Sequence, residues 1–305
     1  MTGAVIITIF ASFLWAISNH IDKFMITGID ENGCNYKTLV VFSTLIAGLV
    51  FTPAWLIISR FSVSISTLSL VSILLASVVY VLATWFYFIA LNKNDASIVV
   101  VMFQLIPVFS YILAYIFFRE TLTKWQIIGS IIIILSAVLI SFDFEEKNNK
   151  SKFKALLLMT LSSLFYAVYF ILFDIAIRDS SYNSCAFWYQ IGFLLIGLVL
   201  ICIKSFRTTF IKAIKTNGKK YFSFNAVNEI LNLIANLLVN FANVTIPIAM
   251  ANILNGFQGA FVFILGAIGV KVLPKYFKED ISKKIVVQKV SCIALSIVGL
   301  AVMFI

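Results

Sequence analysis

The sequence predicts an all-α membrane protein in which ten transmembrane helices form two inverted five-helix repeats around a central cavity. Three observations lead to this fold class. Roughly ten apolar stretches, most of them close to 20 residues long, fill the 305-residue chain, 62% of the residues are hydrophobic and only 12% are charged, and the last five stretches echo the first five. An apolar helix of about 20 residues spans a bilayer core about 30 Å thick.

The predicted spans follow from apolar runs bounded by charged or turn-forming residues. They cover residues 4–27, 38–59, 67–91, 95–117, 123–142, 154–177, 184–203, 224–244, 247–271 and 286–304. The polar connections between them are too short and too charged to bury a core of their own, so no soluble domain is expected. An even number of spans places both termini on one side of the membrane.

The two halves align when the chain is shifted by about 150 residues, which is the basis for predicting a repeat. At an offset of 151 residues, for example, Trp15 falls on Tyr166. We expect a first repeat at residues 1–146 and a second at residues 147–305. Because each repeat has five spans, an odd number, the second must lie upside down relative to the first.

The basic residues lie mainly at one end of the predicted bundle. The net charge is +10, and 18 of the 23 Lys and Arg residues fall in the loops opposite the termini. The face with the termini has four: Arg60, Arg119, Lys124 and Arg178. The positive-inside rule therefore places the termini outside the cytoplasm. The charge is spread over several loops, which favours contact with anionic lipid head groups and not binding of nucleic acid.

The sequence lacks the motifs of an enzyme or a metalloprotein. Intramembrane hydrolysis needs a nucleophile with a base or a metal cluster, and the chain has one histidine, His20, without HExxH, GxSxG or a pair of membrane aspartates. The four cysteines, at positions 34, 185, 202 and 292, have no metal-binding spacing. No cofactor, metal or enzymatic activity is expected. A channel or a non-transporting structural bundle stays open as an alternative class.

Residues 86–141 contain motifs of a known transporter group. Ala90-Leu91 ends one predicted helix and Ala96-Ser97 begins the next, Pro107 lies in mid-helix, and Arg119-Glu120 stands in the following loop. Phe13-Leu14-Trp15-Ala16 matches the first helix of the same group. The chain thus resembles the EamA family of the drug/metabolite transporter superfamily in layout over its whole length, and in motif over about a quarter of it.

This resemblance implies a ten-helix carrier whose central cavity is built by helices 1, 3, 4, 6, 8 and 9. It also implies cytoplasmic termini, which conflicts with the charge bias. The two arguments make opposite predictions about orientation, so the sequence leaves the sidedness open.

Helix 8 carries the clearest polar stripe on the predicted cavity. At 100° per residue, seven side chains fall within an arc of about 120°. They are Asn225, Asn228, Glu229, Asn232, Asn236, Asn240 and Asn243. We expect Asn228, Glu229, Asn232 and Asn236 to bind substrate, and Glu229 to bind an ammonium group or carry a coupling proton. The alternatives are that the amides hydrogen-bond across helices and that Glu229 caps the helix start or reaches the head groups.

Helices 1 and 6 add aromatic candidates. Trp15 and Asn19 lie near mid-bilayer on a polar face of helix 1, and Tyr166 is the repeat equivalent of Trp15. We predict that these aromatic rings meet as a clamp; ordinary packing is the alternative. Lys23 and Asp174, at equivalent helix ends, are expected to snorkel, and His20 to form an interhelical hydrogen bond.

Helices 4 and 9 complete the predicted site. Gln104 and Tyr111 share a face of helix 4, where Pro107 should break the backbone hydrogen bonds beside Gln104. A kink there could serve gating or be only structural. Asn252 and Asn255 are the polar candidates on helix 9.

Together these observations predict a secondary transporter of a small polar organic metabolite, an amino acid or a related compound, that works by alternating access in a cell membrane, with the bacterial inner membrane expected. The energy would come from a coupling proton or an exchanged solute, because no ATP-binding motif is present. An alternative substrate is a nucleoside-like metabolite such as S-adenosylmethionine. Substrate, direction and oligomeric state are left open by the sequence.

Overall fold

A computed structural model of the chain describes residues 2–27, 36–119, 121, 123–141, 150–243, 246, 254–277, 279–303 and 305. These residues form helices and no strand. We number the helices α1 (Thr2–Thr27), α2 (Tyr36–Ile58), α3 (Thr67–Lys93), α4 (Ala96–Val101, Met102–Gln104 and Leu105–Phe118), α5 (Lys124–Ile140), α6 (Lys150–Asp179), α7 (Tyr182–Cys202), α8 (Lys204–Asn243), α9 (Gln258–Val272) and α10 (Lys283–Met303).

The prediction of an all-helical membrane protein is confirmed for these described residues. Eight of the helices are long and apolar enough to cross a membrane. The other two, α5 and α9, have 17 and 15 residues, which is shorter than the about 20 residues of a typical span. The count of ten spans therefore stays a prediction.

Helix boundaries follow from local capping. The Ser66 hydroxyl accepts from the Ser69 amide at the start of α3, and Ser181 does the same for Ser184 at the start of α7. At the start of α5, Thr123 and Gln126 form a reciprocal capping box. Such caps satisfy amide groups that have no partner within the helix.

Helix α4 changes its hydrogen-bonding pattern just before Pro107. The turn Met102–Gln104 is a 3-10 helix between two α-helical segments. Proline lacks an amide hydrogen and its ring crowds the carbonyl four residues earlier, so the regular helix cannot continue through this turn. The break predicted beside Gln104 is confirmed, and a role in gating stays a prediction.

The prediction of a polar loop before helix 8 is wrong, because this segment is helical. The sequence predicts a loop after residue 203 and a helix from residue 224, but α8 begins at Lys204 and is interrupted only at Asn217, which has non-helical backbone angles. Its first part is amphipathic: Phe206 and Ala213 are buried against the bundle, while the basic side chains face outward. Apolar residues at helical spacing explain why this charged segment folds onto the protein.

Labelling of this basic segment tests the orientation. If the positive-inside rule decides it, a Lys215→Cys variant without the four native cysteines should stay unmodified by an impermeant thiol reagent in intact cells and react after permeabilisation. Lys215 is exposed, so access within the protein does not limit the reaction. A Ser62→Cys control at the other end of the bundle should react in intact cells. The reverse pattern would contradict the charge argument and place the termini in the cytoplasm.

Helix packing is symmetric under exchange of α1–α5 with α6–α10. Helix α1 packs on α8 and α9, and correspondingly α6 packs on α3 and α4. Helix α2 packs on α8, and α7 packs on α3. The pairs α2–α7, α4–α9 and α5–α10 each join one helix to its counterpart. This pattern is what two related halves would produce, although the inverted repeat itself stays a prediction.

Glycines at two of these crossings let the backbones approach closely. A Cβ atom at Gly129 on α5 would lie 2.5 Å from the Gly299 carbonyl oxygen on α10, and one at Gly299 would lie 3.1 Å from the Gly129 carbonyl oxygen. At the α2–α7 crossing, Gly48 lies against Leu194 and Gly197 against Leu45. Small residues of this kind are typical of tight helix crossings in membranes.

Candidate functional site

The Asp22 carboxyl lies at the centre of a buried hydrogen-bond network that joins three helices. The Tyr87 hydroxyl on α3 donates to Asp22 Oδ2 across 3.2 Å, and Asn228 Nδ2 on α8 donates to Asp22 Oδ1 across 2.7 Å. Asp22 is 6% exposed and Asn228 is 2% exposed. Asp22 forms no ion pair with any residue that the structure describes. An acceptor-only group is thus held inside the bundle by neutral donors.

Asn19 extends this network one turn along α1. Its Nδ2 donates to the Tyr87 hydroxyl across 2.9 Å, and its Oδ1 accepts from Gln258 Nε2 on α9 across 2.7 Å. The predicted site residues Asn19 and Asn228 are therefore brought together, through Tyr87 and Asp22. The network connects α1, α3, α8 and α9, four of the helices that the resemblance assigns to the cavity.

Lys23 and His20 flank the network on α1, and only one of them behaves as predicted. Lys23 does not snorkel, because its buried ammonium group donates to the carbonyl oxygens of Leu91 and Asn94 at 2.7 and 2.8 Å. These carbonyls end α3, where a helix has unpaired acceptors and a negative dipole end. His20 forms the predicted interhelical hydrogen bond, with Nε2 2.8 Å from the Val262 carbonyl oxygen.

The polar stripe of α8 has two different parts. In the first part the amides bond to other helices: Asn225 Nδ2 donates to Ser43 Oγ on α2 across 3.0 Å, and Asn232 Oδ1 accepts from Ser18 Oγ on α1 across 3.1 Å. With Asn228 on Asp22, this is the arrangement expected from interhelical bonding. These contacts favour a structural role for the first part of the stripe, and substrate binding by Asn228 and Asn232 stays a prediction. The side chains of Asn240 and Asn243 lie outside the described residues.

The second part of the stripe begins at Asn236, which is exposed although it points into the bundle. At 100° per residue it lies 40° from Asn232, and about 100° or more from the exposed apolar side chains of α8. Those side chains are Ile230, Ile234, Leu237 and Phe241. The Asn236 side chain bonds only to the backbone of its own helix, with Nδ2 2.8 Å from the Asn232 carbonyl oxygen. Asn236 is therefore accessible from outside the protein on the polar face of α8.

Glu229 lies next to the Asp22 network. It directly follows Asn228 in the chain and is half-buried, and it hydrogen-bonds to the same Ser43 hydroxyl that accepts from Asn225. The alternative that Glu229 caps the start of helix 8 is wrong, because α8 begins at Lys204. Glu229 is instead an interior carboxyl that faces the bundle.

Trp15 and Tyr166 are not brought together. Trp15 packs against Ala11, Leu14 and Ala235, between α1 and α8. The Tyr166 hydroxyl lies 3.1 Å from Thr84 Oγ1, and its ring contacts Tyr80 and Phe103 in edge-to-face geometry. The ring contacts of the described residues therefore include no clamp between these two side chains. Trp15 lies where α1 packs on α8, whereas Tyr166 lies where α6 packs on α3 and α4. An offset between two halves of the sequence does not show which helices surround each ring.

The remaining predicted residues lie apart from the network. Gln104 is buried at the 3-10 turn of α4, and Tyr111 packs partly buried against the main core. Asn255 Oδ1 accepts from Ser12 Oγ on α1 across 3.3 Å. Asn252 lies outside the described residues.

Three network residues were missed by the sequence reasoning. Asp22 lies on the polar face of α1 recognised in the sequence, but it was not assigned to the site. Tyr87 and Gln258 belong to no polar stripe, and only the packing of α3 and α9 on α1 shows their role. A tyrosine among many aromatic residues gives no signal in sequence, because most such rings serve packing.

A second polar cluster closes the basic end of the bundle. The buried Lys289 ammonium group on α10 lies 2.8 Å from Glu279 Oε2 and 2.6 Å from Asp95 Oδ2. Glu279 also accepts from the Ser97 amide and hydroxyl at the start of α4, at 3.1 and 2.6 Å. Burial and the charge of Asp95 raise the pKa of Glu279, and Lys289 opposes this shift. The cluster ties the α9–α10 connection to α4.

Aromatic contacts complete this closure. The Phe24 ring on α1 lies 5.0 Å from Phe224 on α8 and 4.9 Å from Tyr276 after α9, measured between centroids. Together with Lys23 and the Lys289 cluster, they join the ends of α1, α3 and α9 to the starts of α4 and α10. These contacts hold the described helix ends together at the basic end of the bundle, whereas Asn236 is exposed nearer the other end.

Comparison with known proteins agrees with this architecture. Residues 2–142, which include α1–α5, match the EamA-like transporter family. None of the curated proteins matches the chain. One solved crystal structure of a protein superposes with a TM-score of 0.56 at 14% identity, covering 98% of this chain and 95% of that chain. At this identity the likeness shows a shared fold only.

Proposed function

We propose that the chain, whose residues 2–142 match the EamA-like transporter family, is a membrane transporter of the drug/metabolite type and a secondary carrier of a small polar organic metabolite. The most favoured substrate class is an amino acid or a related compound. The observation that carries this proposal is the polar face of α8, on which the exposed Asn236 lies about two turns from the buried Asn228–Asp22 contact.

The chemistry of this interior favours a hydrogen-bonding solute. An intramembrane polar group is unfavourable unless it meets a partner, water or a ligand. The exposed Asn236 side chain offers both a donor and an acceptor to a solute, and Glu229 provides a carboxyl group. Amides pair with the carboxyl and amino groups of a zwitterion, and a carboxyl pairs with an ammonium group.

We also propose that the chain consists of two inverted five-helix repeats, residues 1–146 and 147–305, that move relative to each other. The exchange symmetry of the helix contacts and the paired glycine crossings support this division. The polar and aromatic cluster at the basic end joins both halves. Its opening, with closure at the other end, would give alternating access.

Flux measurements in proteoliposomes test the proposal. The purified chain should catalyse saturable uptake from a panel of radiolabelled amino acids, with competition among related compounds. Competition by adenosine compounds and not by amino acids would favour a nucleoside-like substrate such as S-adenosylmethionine. Flux that does not saturate would favour a channel, and the absence of flux across the panel would contradict the proposed substrate class.

The proposed binding residues make a more specific prediction. An Asn236→Ala variant should raise the concentration for half-maximal transport roughly 3- to 10-fold, the equivalent of losing one hydrogen bond worth about 1 kcal/mol. Its unfolding temperature should change little, because Asn236 bonds only within its own helix. Asn232→Ala and Trp15→Phe should reduce transport as well.

A matched control is available on the next residue of the same helix. Leu237 is exposed on the apolar face of α8, so Leu237→Ala should leave transport kinetics unchanged. Wild-type kinetics in all three site variants would exclude them from the substrate path. A parallel fall in expression and transport would instead assign the side chains to packing.

A further inference from the structure

The neighbouring carboxyls of Asp22 and Glu229 form an unusual site for the interior of a membrane protein. Asp22 on α1 bonds to Asn228, and Glu229 follows Asn228 on α8. Glu229 hydrogen-bonds to Ser43, which also accepts from Asn225 one turn before Asn228 and Glu229. Neither carboxyl forms an ion pair within the part of the chain that the structure describes. Two carboxylates in one low-dielectric site repel each other unless a positive charge joins them.

Unpartnered acceptors lie in the same place. Asn228 Oδ1 and Asn225 Oδ1 are buried without a hydrogen-bond partner, in residues that are 2% and 0% exposed. The Nδ2 atom of Asn228 is already bonded to Asp22, so its Oδ1 lies beside the same carboxyl. A buried acceptor of this kind indicates a missing donor. The site therefore has a surplus of acceptors and lacks at least one hydrogen.

Among the described residues, the groups around the site supply no positive charge. Lys23 of α1 is directed to the end of α3, and His20 is directed to the Val262 carbonyl of α9. Tyr87 and Tyr80 of α3 and Tyr166 of α6 contribute neutral hydroxyls, and Ser43 of α2 and Gln258 of α9 are not titratable in the physiological range.

We propose that Asp22 and Glu229 form a proton-binding site that holds one proton between them. A hydronium ion gives up the proton and is left as water while an O–H bond forms on the half-buried Glu229 carboxyl. When the proton passes to Asp22, the O–H bond on Glu229 breaks and one forms on Asp22. In either position the added O–H group is a donor close to acceptors that lack one.

This proposal names the proton as the coupling ion of the proposed carrier. The role of the site in transport rests on the proposed function, but proton binding by the two carboxyls does not. The site lies beside the aromatic contacts that seal the basic end of the bundle. Loss of the proton leaves two buried negative charges there, which would favour opening of the seal and entry of water. Proton binding would thus couple a gradient to the alternation between the two open states.

Infrared spectroscopy of the purified protein in lipid tests the site without any transport. We expect the carbonyl stretching band of a protonated carboxyl to disappear as the pH is raised from about 5 to about 9. Asp22→Asn and Glu229→Gln should each shift the pH midpoint of this band by at least one unit, and the double variant should lack the component that the single variants shift. Asp174→Asn, which removes an exposed carboxyl, should leave the band unchanged.

Distinct results separate this inference from the proposed function. A pH-dependent band that is the same in wild type and in both single variants would overturn the proton site. Loss of the band on addition of methylammonium chloride at constant pH, with no response to pH, would overturn the proton assignment and indicate an organic cation site. If Asp22→Asn does not fold, the pH midpoint of the band in Glu229→Gln alone tests the proton site. Absence of flux in proteoliposomes with the expected band present would contradict only the transport proposal.

Discussion

Replacing Lys289 with methionine should lower the midpoint of thermal unfolding by roughly 5–15 °C, the largest effect expected for any single substitution in this chain. Lys289 is 1% exposed and its ammonium group lies within 2.8 Å of both Asp95 and Glu279. Removing one partner of a buried ion pair is unfavourable by about 3–5 kcal/mol, because the remaining charge stays buried without compensation.

The pH dependence of this variant has a definite sign. Without Lys289, only the hydrogen bond from Ser97 opposes the increase that burial and Asp95 cause in the pKa of Glu279. A carboxyl whose pKa is higher in the folded state than in the unfolded state binds more protons when folded, so the free energy of unfolding falls as the pH rises through the folded pKa. We therefore expect the variant to unfold at a lower temperature at about pH 8 than at about pH 5.

Two further variants serve as controls for the cluster. Lys283 stands on the first turn of the same helix and is exposed, so Lys283→Met should change the free energy of unfolding by no more than about 0.5 kcal/mol. Adding Glu279→Gln and Asp95→Asn to Lys289→Met removes the unpaired charges and should restore much of the stability. A Lys289→Met variant that is as stable as the wild type would contradict a stabilising role for the cluster.

The second large effect is expected at the crossing of α5 and α10. Gly129→Ala places a Cβ atom 2.5 Å from the Gly299 carbonyl oxygen and 2.7 Å from the Met303 amide nitrogen. Both atoms belong to the backbone, so the helices must separate. Overpacking of this kind destabilises a protein by about 1–3 kcal/mol. The unfolding temperature and the yield of monodisperse protein in detergent should both fall.

Gly218→Ala is the matched control for this steric argument. The nearest atom to a Cβ at Gly218 is the Ile214 side chain at 3.6 Å, an ordinary contact distance. Alanine is also the better helix former, so this variant should be as stable as the wild type or slightly more stable. Equal behaviour of Gly129→Ala and Gly218→Ala would mean that the α5–α10 crossing relaxes without loss of packing.

The sequence determined the class of the protein and most of its helices. Long apolar runs cannot be stable in water, and a bilayer forces their backbone into helices, so composition and span length were sufficient. The motifs around Pro107 and Arg119 identified the EamA resemblance, which the family match over residues 2–142 confirms. The proline also located the break in α4. These features depend on local chemistry, which is readable from neighbouring residues.

Only the tertiary structure decided which polar residues meet. The periodicity of α8 placed Asn225, Asn228 and Asn236 on one face, but a helix face has different neighbours at different depths. The first two amides bond to other helices, whereas Asn236 is exposed and bonds to its own helix. Likewise, Lys289 pairs with Asp95 because α10 packs near the start of α4. The two residues are 194 positions apart in the chain. Contacts between residues distant in sequence depend on the packing of whole helices, which one helical period does not encode.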